Sequence, residues 1–82
     1  MIQGTRAQAV RDFHKRRVGE RLRKARKGAR FTQKEFAKKL NISVSTLSLV
    51  ESGEHVMAHS LDYYVKLICQ ELNINISEIT DG

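Results

Sequence analysis

The sequence predicts a single all-α domain built from five helices. Its 82 residues contain no proline and only five glycines, the two residue types that interrupt helices most strongly. Hydrophobic residues make up 40% of the chain, and they recur at helical spacing rather than in the strict alternation of strands. Capping residues precede several of the periodic stretches. Length, composition and periodicity therefore all favour a small helical fold.

The first helix is predicted to begin near Arg6 and to end at Gly28. Val18, Leu22 and Ala25 fall at helical spacing and mark its core-facing side. The part before Val18 contains many basic residues, and it is either a helical extension or a mobile basic arm.

Charge divides the chain into two halves. Residues 1–39 contain 14 Lys and Arg residues against three acidic ones, whereas residues 40–82 contain one lysine against six acidic residues. Such an asymmetry suggests a polyanionic partner at the basic end. A solvated surface that aids solubility is the alternative explanation. We divide the chain into a basic N-terminal extension, residues 1–17, and a folded domain, residues 18–80.

The second helix is predicted to follow Thr32. Thr32 and Glu35 have the spacing of a capping box, in which each side chain satisfies a free backbone N–H group of the other residue. Phe36, Ala37 and Leu40 share one face of this helix. Its opposite face carries two lysines, Lys34 and Lys38.

A tight turn and a third helix come next. Asn41 tolerates a left-handed conformation, Ser43 is a predicted N-cap, and Gly53 is expected to end the helix, at about residues 44–52. At about 100° per residue, Leu47 and Val50 point towards the core, with Thr46 and Glu51 beside them. The opposite side carries Val44, Ser45, Ser48 and Leu49.

The rest of the chain predicts a longer helix and a last short one. Ser60 is taken as the cap of a helix at about 61–72, and Ser77 as the cap of a final turn that contains Ile79. Ile74 and Ile76 are expected to fill the core between them. The core stripe of the longer helix consists of Leu61, Tyr64, Val65, Ile68 and Leu72, with Cys69 buried at its margin.

Two short helices joined by such a tight turn cannot pack antiparallel. They cross at a wide angle, and the helices before and after them supply support. The second helix of the pair then projects from the surface, so its amino-terminal end can enter a DNA major groove.

The segment FTQKEFAKKLNISVSTLSLVESG resembles the helix-turn-helix of the lambda-repressor-like family, also called the Cro/repressor or xenobiotic-response-element type. The matching features are Thr32-Gln33, Glu35-Phe36-Ala37, Leu40, the Asn-Ile-Ser turn, Leu47, and Glu51 followed by Gly53. The resemblance extends over about residues 18–79. It implies a five-helix domain, usually dimeric, that binds double-stranded DNA and regulates transcription, with the helix-turn-helix at about residues 32–52.

The resemblance also implies roles for individual residues. Gln33 would touch a phosphate or reach base edges, and Ser52 would approach the other phosphate strand. The groove-facing set would be Ser43, Val44, Ser45, Ser48 and Leu49. The same resemblance pairs Arg26 with Glu51 as a structural ion pair.

The groove-facing residues contain no Gln, Asn, Arg or Lys, so the side chains that discriminate bases by paired hydrogen bonds are absent. Two interpretations remain open. Recognition is modest and is assisted by DNA shape and by phosphate contacts. The basic residues expected to supply these contacts are Lys34 and Lys38 on the second helix and Arg16, Arg17, Arg21 and Arg30 around the first. Otherwise, the surface binds a protein partner, as an antitoxin-like module would.

A homodimer interface is predicted on the fourth helix and the carboxy-terminal segment. Tyr63 and Leu67 occupy a side of the fourth helix that the core stripe does not use, and Ile76 and Ile79 follow nearby. A two-fold arrangement of this kind would set the spacing of the two DNA half-sites.

Other chemistry has little support in the sequence. His55 and His59 lie four residues apart near Glu54 and Asp62, but no second cysteine completes a zinc ligand set, so we expect no metal. Cys69 with His59 could suggest a nucleophile, but the apolar helix face around Cys69 favours a raised pKa and an unreactive thiol. No phosphate-binding glycine loop is present, and neither an enzyme nor a cofactor is expected. The single cysteine fits a reducing compartment. No apolar run suggests a signal peptide or membrane anchor, and we expect a cytoplasmic, nucleoid-associated protein.

Overall fold

The computed structural model describes residues 6–54 and 58–80, with the side chains of residues 14–54 and 60–80. Within these residues the chain forms five helices and no strand, which confirms the predicted all-α class. The helices are α1 (Arg6–Gly28), α2 (Gln33–Leu40), α3 (Val44–Ser52), α4 (Ala58–Leu72) and α5 (Ile76–Thr80).

The core lies between α1 and the helices that follow it. Helix α1 packs against α3, α4 and α5, and α2 packs against α3 and α4. Every helix contributes at least one buried apolar side chain, so the five elements share a single core. Its buried members are Val18, Leu22, Phe36, Ala37, Leu40, Leu47, Val50, Leu61, Val65, Ile68, Cys69 and Ile79.

Helix α1 is continuous from Arg6 to Gly28. Of the two alternatives for the basic extension, the described residues 6–17 are therefore helical; residues 1–5 lie outside the described residues. The helix ends at Gly28 as predicted, but the left-handed residue that reverses the chain is Arg30, whose φ is 67°. A side chain in this conformation is strained, and the strain falls two residues before Thr32.

The caps around α2 and α3 confirm the sequence-based predictions. Thr32 Oγ1 accepts a hydrogen bond from the Glu35 backbone N–H at 3.1 Å, and the Thr32 N–H donates to Glu35 Oε1 at 2.9 Å. Asn41 is left-handed with φ 60°, and Ser43 caps α3. Gly53 ends α3 with φ 75°. Local side-chain chemistry thus fixes both helices and the turn between them.

The caps predicted for the last two helices are wrong. Helix α4 begins at Ala58, so Ser60 lies in its first turn rather than before it; residues 55–57 lie outside the described residues. Helix α5 begins at Ile76, so Ser77 is its second residue. Its first turn is instead closed by Glu78, whose Oε2 accepts from the Asn75 N–H at 2.9 Å.

Helices α1 and α3 approach each other at the level of their backbones. A Cβ atom at Gly19 would lie 2.5 Å from the carbonyl oxygens of Val50 and Glu51, so only glycine fits there. A Cβ atom at Gly53 would lie 2.8 Å from the backbone nitrogen of Arg16. The carboxy-terminal end of α3 is therefore seated directly on α1, and this contact determines how α3 projects from the domain.

Candidate nucleic-acid interface

A buried ion pair holds α3 from behind. Arg26 of α1 donates from Nε to Glu51 Oε2 at 2.7 Å and from Nη2 to Glu51 Oε1 at 3.1 Å. The two side chains are only 6% and 3% exposed. The third guanidinium nitrogen, Nη1, donates to the Phe31 carbonyl at 2.6 Å. This is the pairing that the sequence resemblance implies, in a two-pronged geometry that fixes distance and angle together.

Gln33 extends this network to α2. Its Nε2 donates to Glu51 Oε1 at 3.0 Å, so one carboxylate oxygen accepts hydrogen bonds from both α1 and α2. No buried side-chain nitrogen or oxygen atom in the described part of the chain lacks a hydrogen-bond partner. Gln33 is half-buried, and its amide is held in position before any ligand arrives. The residue expected to meet DNA is thus also a residue that joins the two helices.

The outward face of α3 is free of charge. Val44 and Leu49 are 43% and 41% exposed, and Ser45 and Ser48 are exposed with them. The only charged residue in the helix is Glu51, which is buried in the ion pair. The angular prediction from the sequence therefore separates the two faces of α3 correctly.

Two of the serines assigned to this surface have their hydroxyls occupied. Ser43 Oγ accepts from the Thr46 N–H at 3.0 Å and donates to Thr46 Oγ1 at 2.8 Å. Ser52 Oγ donates to the Leu49 carbonyl at 3.1 Å and accepts from the Glu54 N–H at 3.4 Å. These bonds satisfy the helix ends of α3. The hydroxyls of Ser45 and Ser48 make no hydrogen bond within the described residues.

Exposed basic residues lie on α1 and α2, the two helices that pack against α3. Lys34 and Lys38 are exposed on α2, whereas the neighbouring Lys39 is directed to α4, where its Nζ lies 3.4 Å from Glu71 Oε2. On α1, Arg23 is exposed and lines an open groove beside the amino-terminal end of α2 and the outer side of α3. The groove also contains Thr32, Gln33, Ser48 and Ser52.

A helix-turn-helix family model matches residues 22–79, more than half of the chain. The chain belongs to the lambda-repressor-like helix-turn-helix family. No match was found among curated proteins or among solved structures. The family is a DNA-binding one, and the matched residues include α2, the turn after it and α3.

Two residues do not lie where the sequence interpretation placed them. Arg21 was expected to flank the recognition helix, but its Nη1 donates to the Ile79 carbonyl at 3.0 Å, on the side of α1 that faces α5. Ile79 was assigned to the dimer surface, yet it is 2% exposed and belongs to the core. Helix α5 folds back onto α1 and α4, and this turns Ile79 inwards.

The other residues assigned to a dimer surface differ in their exposure. Tyr63 is 60% exposed and Ile76 is 42% exposed, whereas Leu67 is half-buried against the core. The sequence interpretation also placed Ile76 in the core, and that placement is wrong. Two exposed apolar side chains thus remain, Tyr63 on α4 and Ile76 at the start of α5.

Sequence reasoning missed Gly19 and Arg23. For Gly19, no local signal distinguishes a glycine required by a close helix contact from one that merely interrupts a helix. Arg23 had a usable signal, since it lies three residues before Arg26 and hence on a neighbouring part of the same helix face.

Cys69 is 2% exposed and is a free thiol. Burial, together with the nearby Glu78 carboxylate, raises the pKa of the Cys69 thiol. A raised pKa disfavours the thiolate, which is the reactive form of the side chain.

Within the described ranges, no group of three His, Cys, Asp or Glu residues is placed to hold a metal ion. His55 and the side chain of His59 lie outside those ranges. A search of the same residues finds no helix with the length and apolar character needed to span a membrane.

Proposed function

We propose that this protein is a sequence-specific transcriptional regulator of the repressor type that binds an inverted DNA repeat as a homodimer. The observation that carries the proposal is the mounting of α3. Its inward side is fixed by Arg26, Glu51 and Gln33, while its outward side is exposed. The two helices that pack against it, α1 and α2, carry exposed basic residues. A rigid, exposed helix supported by basic helices fits a duplex, whose phosphates border the groove that the helix enters.

Phosphate contacts supply most of the affinity in this proposal. Lys34 and Lys38 on α2 and Arg23 beside the groove are exposed cations available for these contacts. The binding constant should fall steeply with salt, by about 0.9 in log affinity per log salt for each phosphate neutralised. Titration of a random-sequence duplex between about 50 and 200 mM salt measures this slope.

A charge-matched pair of variants locates the contact. Lys38→Ala should weaken binding to all sequences alike and reduce the salt slope by about one contact. Lys66→Ala removes the same charge from an exposed position on α4, outside the helix-turn-helix, and should leave the affinity for DNA nearly unchanged. Affinity that does not vary with salt, or equal effects of the two variants, would refute this mode of binding.

The homodimer is proposed to form through the exposed apolar side chains of α4 and α5. Tyr63 and Ile76 carry this part of the proposal because the core does not use them. A two-fold arrangement would place the two α3 helices about 34–36 Å apart, one turn of DNA, for adjacent major-groove half-sites.

Sedimentation of Tyr63→Glu and Ile76→Glu tests the interface, since both residues are exposed and the substitutions should not unfold the monomer. Leu49→Glu is the matched control: it places the same charge on an exposed apolar site of α3. It should preserve the dimer and lose DNA binding. A monomeric wild-type protein at tens of micromolar would contradict the proposal.

A second candidate function is that of a protein-interaction module, such as an antitoxin-like partner that neutralises another protein. The observation in its favour is the uncharged outward face of α3, with Val44 and Leu49 exposed. Selection of bound sequences from random duplexes separates the two functions. If no duplex is enriched, the interaction module replaces the regulator.

A further inference from the structure

We propose that the recognition helix reads the C5-methyl groups of pyrimidines in the major groove, with Val44 and Leu49 as the specificity-determining residues. This inference rests on the proposed DNA-binding function and specifies what the same surface recognises. The shared chemistry is a methyl group at C5, which thymine carries and which 5-methylcytosine also carries.

Helix α3 offers few polar groups to a base. No amide or cationic side chain occurs between Val44 and Ser52, and Glu51 faces inwards. The hydroxyls of Ser43 and Ser52 are occupied by the ends of the helix. Because the strongest base discrimination requires two parallel hydrogen bonds from one side chain, this surface cannot supply it.

The remaining hydroxyls discriminate weakly. Ser45 and Ser48 are exposed and make no hydrogen bond within the described residues, but a serine hydroxyl both donates and accepts. It therefore bonds to donors or acceptors on different bases. These two serines are suited to satisfy whichever polar edge lies beneath them, and they leave the selection to their neighbours.

Two aliphatic side chains lie on the exposed face of α3. Val44 is the first residue of α3, at the end that enters the groove, and Leu49 lies five residues further along. At about 1.5 Å and 100° per residue, the two side chains lie roughly 7.5 Å apart along the helix axis and about 140° apart around it, at the two edges of the exposed face. The methyl groups they contact should therefore belong to different base pairs of one half-site.

The major groove presents an apolar group that these side chains can contact. On its floor, the C5-methyl group is the apolar feature that distinguishes one pyrimidine from another. An aliphatic side chain gains from covering that methyl group and gains nothing comparable over the C5 hydrogen of cytosine or uracil. Burial of one methyl group is worth about fourfold in affinity.

The experiment starts from the duplex that selection enriches most. Each thymine of a half-site is replaced in turn by uracil, which removes the methyl group and keeps the base pair. At one or two positions the affinity of the wild-type protein should fall about three- to fivefold. Replacing the same pair by C·G should weaken binding, and 5-methylcytosine in that pair should recover part of the loss.

Variants assign each methyl group to a side chain. Val44→Ala should bind the thymine and uracil duplexes equally at one position, and Leu49→Ala should do so at the other. Both residues are more than 40% exposed, so neither substitution should unfold the domain. Ser45→Ala, from the same face, is the control and should retain the full response to uracil.

The outcomes separate this inference from the proposed function. A selected duplex that is bound specifically, but whose uracil versions all bind within twofold of the parent, overturns methyl reading and leaves the regulator intact. Responses to uracil that persist unchanged in Val44→Ala and Leu49→Ala also overturn it. If no duplex is enriched over random, the proposed function fails and methyl reading fails with it.

Discussion

The two ends of α3 are held in different ways. At its carboxy-terminal end, backbone lies against backbone at Gly19 and Gly53, and Glu51 is bonded to both α1 and α2. At its amino-terminal end, the hydrogen bonds are local, from Ser43 to Thr46, and the surrounding side chains are exposed. The carboxy-terminal end is fixed by tertiary contacts, whereas the amino-terminal end is capped by a neighbouring side chain.

This difference separates orientation from contact. A helix that is held rigidly at one end keeps its direction when the residues at the other end change. The exposed residues of α3 can therefore vary with the DNA sequence without disturbing the fold, whereas those at its carboxy-terminal end cannot. The comparison predicts a graded series of effects.

The largest effect is expected at the ion pair. Glu51→Ala should lower the free energy of unfolding by about 3–5 kcal/mol, because it leaves the Arg26 guanidinium buried without its partner. Urea unfolding followed by circular dichroism measures this. The double variant Arg26→Met with Glu51→Leu should lose less than the two single variants combined. Additive losses would show that the two side chains do not act as a pair.

The next effect concerns the backbone contact. Gly19→Ala should cost about 2 kcal/mol or more, because its Cβ atom would meet two backbone carbonyl oxygens at 2.5 Å and neither can move independently of α3. Gly28→Ala is the matched control in the same helix. No atom lies within 4 Å of its Cβ position, so this substitution should raise stability by about 0.5–1 kcal/mol. Equal effects at both sites would contradict the close approach of α1 and α3.

A smaller effect is expected at the exposed end of α3. Ser43→Ala removes the hydroxyl that caps the helix and should cost about 1 kcal/mol. Ser45→Ala, two residues later, removes a hydroxyl with no hydrogen bond inside the described structure and should stay within about 0.5 kcal/mol of wild type. A loss at Ser43 as large as that at Glu51 would mean that the two ends are not held differently.

The smallest effect distinguishes the caps of α2 and α3 by pH. The hydrogen bonds from Thr32 lower the pKa of the Glu35 carboxyl, whereas the cap of α3 contains no ionisable group. A depressed pKa in the folded state means that Glu35 stabilises the domain above its ordinary titration range. This contribution is lost as the pH falls through its folded pKa.

Denaturant unfolding between about pH 3 and 7 tests this against Glu35→Gln, which retains a capping-box side chain without the charge. Stability of the wild type relative to this variant should decrease as the pH falls. A difference that is constant with pH would remove Glu35 as its source.

Local chemistry explains how much of this fold the sequence predicts. Thr32, Asn41, Ser43 and Gly53 act on neighbouring backbone, so the boundaries of α2 and α3 follow from residue types alone. The inward side of α3 follows equally from angular spacing, because the period of a helix does not depend on its partners.

The errors arise where a second element decides the outcome. Angular spacing gives the direction of the Ile79 and Arg21 side chains on their own helices. Only the packing of α5 onto α1 shows that Arg21 reaches the Ile79 carbonyl. The role of Gly19 likewise depends on the backbone of α3, which is distant in sequence. At the candidate site, the residue types predicted the exposed surface, whereas the occupied hydroxyls of Ser43 and Ser52 became evident only from hydrogen bonds.

The buried thiol of Cys69 allows opening of the core to be followed by chemical labelling. A maleimide or disulfide reagent needs an accessible thiolate, and the native fold offers neither the access nor the ionisation. Modification must wait for the core between α1, α4 and α5 to open, so at a fixed reagent concentration the labelling rate increases with the fraction of molecules that are open. With one cysteine in the sequence, each molecule is modified once, and DNA that binds the closed form should slow the reaction.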